Sequence, residues 1–258
     1  MILRSETSRV LSATVLVQAL NTWAMLAIAA MAPLVAEGLA VAAVLVGYQI
    51  SVMYLCAALT SVPAGGWVAR LGPTRVSQLS LVAGALGLGL AATGSLVAVL
   101  AASVCIGVGY GMVNPASSLL LFARTTARDR SLVFSIKQTG VPLGGMLAGL
   151  VTPAAALAFG WQAALGGLVP LLLGAALVLQ RPRRDWDRGT GTGAGPAPSA
   201  AEGAREVWCN PALRRLCTVS FLFAGVQVCL VGFLVAFAMA DLGFGAVLAG
   251  ALLATVQA

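Results

Sequence analysis

Long apolar runs, separated by short polar gaps that carry arginine, set the pattern of this chain. A helix crossing a hydrocarbon core of about 30 Å needs roughly 20 apolar residues. Seven runs reach that length, at 11–36, 42–66, 75–96, 98–123, 131–157, 161–180 and 216–240, and an eighth opens near Phe244 and is still apolar at Ala258. The runs are continuously apolar and lack the two-residue alternation of barrel strands, so the pattern predicts an all-α polytopic membrane protein.

The gaps predict orientation. Arg4 and Arg9 precede the first run, Arg70 and Arg75 lie between the second and third, and Arg124, Arg128 and Arg130 lie between the fourth and fifth. A further group, Arg181, Arg183, Arg184, Arg188, Arg205, Arg214 and Arg215, lies between the sixth and seventh. The intervening loops hold only Glu37 and Asp241, so every positive charge except Lys137 alternates onto one side. Basic loops stay in the cytoplasm, which predicts a cytoplasmic N-terminus. One Lys against fourteen Arg, with abundant Ala and Gly, reads as a GC-rich bacterial genome and hence a bacterial cytoplasmic (inner) membrane.

Composition sharpens the class. Apolar residues make up 60% of the 258 and charged residues only 9%, against about 25% charged in soluble domains. The net charge of +7 does not imply nucleic acid, because the charges sit in short clusters between spans and form no stripe. The chain has no His, which excludes His-based metal binding and His general-base catalysis. Its five cysteines show no metal spacing, and no Asp or Glu lies deep in a run, so neither an intramembrane enzyme nor a carboxylate proton relay is supported. Gly107, Gly109 and Gly111 echo a nucleotide-binding loop, but an apolar span offers no strand–turn–helix context. No metal and no cofactor is expected.

Three regions follow. Residues 1–180 form a six-helix bundle, 181–215 a cytoplasmic linker, and 216–258 the start of a second bundle. Gly, Thr, Ala and Pro dominate 189–199, the composition of a flexible linker. Glu206–Arg215 reads as a short amphipathic surface helix anchored by Trp208. A faint repeat supports the division: Arg9, Glu37 and Gly47 are spaced by 28 and 10 residues, and Arg215, Asp241 and Gly250 by 26 and 9.

Six helices, a cytoplasmic linker and a second set of helices resemble the major facilitator superfamily. The loop after the second run, Gly65-Gly-Trp-Val-Ala69-Arg70-Leu-Gly72-Pro-Thr-Arg75, is similar to the family signature Gly-x-x-x-Asp-Arg-x-Gly followed by basic residues. Gly65, Arg70, Gly72 and Arg75 match it, while Ala69 stands at the Asp position. In the family this loop latches the two halves through charge pairs, and the missing Asp puts that latch in doubt. Gly107-Val-Gly109-Tyr110-Gly111-Met-Val-Asn114-Pro115 resembles the Gly-rich fourth helix; Ser103 stands where drug–proton antiporters carry an Arg. Gly140-Val-Pro142-Leu-Gly144-Gly145 resembles the fifth-helix Gly-Pro motif. The preceding Ser135-Ile-Lys137-Gln138-Thr-Gly is similar to a stretch of bacterial carriers of small organic or inorganic anions. The resemblance implies a twelve-span fold in which spans one, four and seven line a central cavity.

The candidate site rests on polar residues within the runs. Lys137 lies seven residues past Arg130, roughly 10 Å into its helix. Two readings stay open: its stem snorkels to the surface, or its ammonium faces a water-filled cavity and binds an anion. Gln18 and Asn21 share one helix face; Tyr110, Asn114 and Ser117 share another. Gln138 and Gln227 complete the substrate-facing set, and Tyr48 and Gln49 either join it or pack. Each is equally readable as interhelical glue. Gly140, Gly144, Gly145 and Gly149 predict close helix packing, with Pro115 and Pro142 as alternative hinges.

The expected function is a secondary active transporter moving a small polar or anionic solute by alternating access, with or without a coupling ion. Its partners are that solute and the lipid bilayer, with no nucleic acid; oligomeric state is not readable. The alternatives are a drug or metabolite efflux antiporter, or a non-transporting scaffold if the chain is complete. Because the chain ends inside an apolar run, a truncated product that does not transport by itself is expected.

Overall fold

A computed structural model describes residues 5–188 and 200–257. The described residues are helix and connecting turns, with no strand among them. The flexible stretch expected at 189–199 lies outside the described residues.

The first run is a broken span. Helix α1 (Ser5–Leu26) gives way to a 3-10 turn at Ala29–Met31 and then to α2 (Ala32–Leu39), with a bend of 42°. Pro33, in the first turn of α2, accounts for the break: it lacks an N–H and its ring clashes with the carbonyl four residues earlier. The second run is α3 (Ala43–Leu71) and the third α4 (Pro73–Ala91), parted by the single residue Gly72 at φ +90°. The fourth is α5 (Leu96–Arg124) and passes through Pro115 without ending. The fifth comprises α6 (Arg130–Gln138) and α7 (Gly140–Phe159), interrupted only at Thr139. Pro142 cannot donate to the carbonyl of Gln138, which places that interruption. The sixth is α8 (Trp161–Val178).

Among the described residues five helices are long and apolar enough to cross a membrane, and α1 with the segment Ala29–Leu39 makes a sixth if counted as one bent span. Helix α4 has 19 residues, about 28 Å of rise, but its first half carries Thr74, Arg75, Ser77, Gln78 and Ser80. Of these only Arg75 is exposed; the others turn inward. The third run is therefore amphipathic, with its polar face against protein.

After α8 the chain forms α9 (Arg183–Asp187), α10 (Ala200–Cys209), α11 (Pro211–Ala240) and α12 (Ala246–Gln257). The surface helix expected at 206–215 is thus α10 followed by the first turn of α11. Asn210 divides them, its side-chain oxygen accepting from the N–H groups of Ala212 and Leu213 at 3.0 and 3.4 Å. Pro211 fills the first helical position, where a missing N–H costs nothing. Trp208 is exposed, as an interfacial anchor would be.

Small residues set the packing. A Cβ on Gly107 or Gly111 would strike the carbonyl oxygens of Met53 or Ala57 in α3, and one on Gly109 would lie 2.7 Å from the Ser80 carbonyl in α4. Helix α5 is held between α3 and α4 by glycines on both faces. Gly140 and Gly144 bring α7 onto the backbone of α1 at Val15 and Ala19, and Trp23 Nε1 donates to Thr152 Oγ1 at 2.9 Å across the same seam. Gly145 is buried beside them. Close packing is what these glycines do here.

Helix α11 is exposed along its first half and buries Val231, Gly232, Val235 and Ala238 in its second. There it meets the start of α3, with Phe233 edge-on to Tyr48 at 6.0 Å. Helix α12 crosses α7 where Gly149 and Gly250 face each other's carbonyl oxygens.

Candidate solute-binding site

Lys137 lies in the last turn of α6, just before the glycine-lined seam between α7 and α1. It is 3% exposed. Its ammonium donates to Asn114 Oδ1 at 2.9 Å and to Ser118 Oγ at 3.3 Å, both on α5. The side chain therefore runs sideways to the neighbouring helix and does not climb to the polar edge of the bundle. A charge inside a span costs at least about 2.5 kcal/mol and is kept where it faces polar groups or a water-filled cavity. Asn114 itself is exposed and Ser118 half-buried, so Lys137 sits just behind an accessible polar surface.

The other expected residues divide into groups. Gln18 is fully buried, and neither of its amide atoms has a hydrogen-bond partner among the described residues. It lies under Gly140, whose added Cβ would fall 2.7 Å from Gln18 Cβ. Gln18 and Lys137 thus flank the same α6–α7 junction. Gln138 is exposed beside Lys137. Tyr110, one turn before Asn114, stands edge-on to Tyr54 of α3 at 6.1 Å between ring centroids.

Asn21 is spent differently. Its amide donates to the Val17 carbonyl at 2.9 Å and to Ser80 Oγ at 3.4 Å, which turns it toward α4. Ser117 is buried, with its hydroxyl on the carbonyls of Val113 and Asn114 at 2.7 and 3.3 Å. Its neighbour Ser118 holds the place beside Lys137; the i, i+4 spacing from Asn114 was the available signal. Gln49 is buried with both amide atoms unpartnered among the described residues. Gln227 lines a separate groove of about 250 Å³ with Phe223, Val226, Leu230, Val231 and Val256.

The glycine-arginine loop forms a second constellation at the basic end of the bundle. Gly72 closes α3 and opens α4. A Cβ there would fall 2.5 Å from the Asp187 carboxylate carbon. Asp187, which was not anticipated, accepts from the Thr74 N–H at 2.8 Å and pairs with Arg183 at 3.8 Å. Arg75, exposed, donates to Gln78 Oε1 at 3.2 Å. Gln78 Nε2 in turn donates to the Ala176 carbonyl and to Gln180 Oε1 at 2.8 and 3.0 Å. Arg70 is exposed, and Gly65 faces open space. Arg124 joins three elements: it pairs with Glu6 of α1 and donates to the carbonyls of Asp185 and Trp186 in α9 at 2.6 and 3.1 Å.

A family model described as Major Facilitator Superfamily matches residues 14–258. The chain belongs to the major facilitator superfamily. It is therefore a multi-pass membrane protein of a transporter family. Among solved structures, this superfamily member is similar to a bacterial homolog of the human lysosomal transporter Spinster, in an inward-facing and unoccupied conformation. The TM-score is 0.76 at 20% identity, covering 98% of this chain and 60% of that one. A D-xylose–proton symporter matches with a TM-score of 0.62 at 13% identity, over 96% of this chain and 64% of that one. A peptide transporter, POT, in complex with alafosfalin, matches with 0.57 at 20%, over 87% and 46%. At these identities the likeness is one of fold. The chain spans about 60% of the length of the Spinster homolog. No curated protein sequence matches it.

Proposed function

We propose that this protein is, or is the larger part of, a secondary transporter that moves a small polar or anionic solute by alternating access. Its site is centred on Lys137, with Asn114 and Ser118 from α5, Gln18 from α1 and Gln138 beside it. The observation that carries this reading is the sideways course of the Lys137 side chain: a buried ammonium on an inner helix is bound to an exposed amide. A snorkelling lysine would have placed its charge at the basic edge. Tyr110 and Tyr54 form the apolar shoulder of the site. The basic loops supply the orientation, with the N-terminus in the cytoplasm of a bacterium and the bundle in its inner membrane. The first bundle and the start of the second meet along α7–α12 and α3–α11, where the two halves would rock around a midplane site.

The test is counterflow in proteoliposomes holding the full-length protein, over a panel of labelled small carboxylates, sugars and amino acids. One panel member exchanges with the native protein, and exchange falls to background in Lys137→Ala and Asn114→Ala. Full exchange in both variants moves the site elsewhere, and no exchange with any solute overturns the transport reading.

A further inference from the structure

Lys137 differs from the other cations in depth. Every described arginine lies in the first two turns or the last turn of a helix, or outside the spans. All eight acidic residues lie in the described segments, and none sits inside a span away from its ends. No carboxylate of this chain therefore balances the Lys137 charge at its own depth.

Hydrogen bonding adds the second observation. An ammonium only donates, so the 2.9 Å contact fixes Oδ1 of Asn114 as the acceptor. The Asn114 amino group, with two N–H donors, is then presented beside the cation on an exposed side chain. Two of the three Lys137 protons go to the neutral oxygens of Asn114 and Ser118, and one remains. Lys137 and Asn114 thus offer one positive charge and a small set of adjacent N–H donors, which matches the two oxygens of a carboxylate. Among the described residues no guanidinium fork, the group that grips phosphate and sulfate at two points, stands beside Lys137. Among the described residues nothing at this depth would balance the second charge of a dianion, and charge there is costly.

We infer that the site takes a monovalent oxyanion of the carboxylate class, held by the Lys137 ammonium and oriented by Asn114. This rests on the transport reading for its purpose, but its chemistry is testable without transport.

The experiment uses Ser118→Cys in the full-length protein, with and without Lys137→Gln, and peptide mass spectrometry to follow modification at residue 118 apart from the native cysteines. Gln138→Cys serves as a second reporter where Ser118→Cys does not fold. The probes are an anionic (2-sulfonatoethyl) and a cationic (2-trimethylammonioethyl) methanethiosulfonate. With Lys137 present, the anionic-to-cationic rate ratio should exceed that of Lys137→Gln by about tenfold or more, as a focused charge does. Sodium benzoate should slow the reaction beyond sodium chloride at equal ionic strength, and sodium sulfate should not. Equal ratios in the two backgrounds overturn the inference, as does protection by sulfate equal to that by benzoate. A protein that fails counterflow yet keeps the Lys137-dependent ratio and the benzoate protection loses the transport reading and retains this one.

Discussion

The carboxylate of Asp187 accepts the backbone N–H of Thr74 at 2.8 Å, across 113 residues of sequence. That bond caps α4. Gly72, the residue in the cap position, has no side chain to offer, and the first N–H groups of a helix need an acceptor. A negative group there also complements the helix dipole. The cap thus arrives from α9, after the sixth span. Asp187→Ala should lower stability by about 1 kcal/mol, the ordinary worth of a cap. Asp187→Asn should retain most of it. Thermal unfolding in detergent reads the difference, and an unchanged midpoint in Asp187→Ala would show the cap to be idle.

Arg124 ties α1, α5 and α9 together through Glu6 and the carbonyls of Asp185 and Trp186. Glu6 is 62% exposed, so Glu6→Gln should cost less than about 1 kcal/mol. Arg124→Lys should cost more, because an ammonium cannot span carbonyls and carboxylate as a planar fork does. Proteolysis at 181–188 after mild heating gives the readout: Arg124→Lys should be cut faster, with Glu6→Gln close to the native rate. The reverse order would move the weight of the contact to the ion pair.

Glycines that look alike in the sequence differ in what surrounds them. Gly109 meets the Ser80 carbonyl and Gly144 meets the Ala19 carbonyl, whereas Gly167 and Gly174 face open space. Gly109→Ala and Gly144→Ala should each destabilise by about 1–3 kcal/mol through overpacking. Gly174→Ala should be neutral or slightly stabilising, since Ala favours helix over Gly. Comparable yields and melting points across all of these variants would contradict the close packing of α5 and α7.

Much of the bundle was legible because apolar runs of the right length leave the chain few alternatives in lipid. What escaped depended partly on local breaks and partly on partners distant in sequence. The break in the first span turns on Pro33, which tolerates a first-turn position as readily as it breaks a helix. The surface helix was placed too late because Glu206–Arg215 mixes polar and apolar residues across the helix break, and only the Asn210–Pro211 pair marks the boundary. Lys137 and Asn114 stood out by their polarity within apolar runs, and the fold brings their side chains into contact. Ser118 lost to Ser117 because both hydroxyls lie near the same helix face, and the position of α6 decides between them. Asp187 sat unnoticed among arginines, since nothing local reveals that α9 returns to the start of α4.

Asn114→Asp separates binding from folding most sharply. The change is nearly isosteric, and it sets a carboxylate at the position now 2.9 Å from the Lys137 ammonium. The lysine would then be neutralised from within, and the bound helices α5 and α6 should hold together at least as well. Stability should therefore be kept or increased. A solute carboxylate, however, would meet no free positive charge and would face a like charge at the exposed side of the site. Losing a charge-assisted bond of about 1.5–3 kcal/mol lowers affinity by roughly tenfold to a hundredfold. Counterflow at low solute concentration should fall by that factor in Asn114→Asp, while the unfolding midpoint stays at or above the native value. If unfolding and counterflow fall together, the Lys137–Asn114 bond is a structural tie and the solute binds elsewhere. If neither moves, Asn114 is a bystander to both.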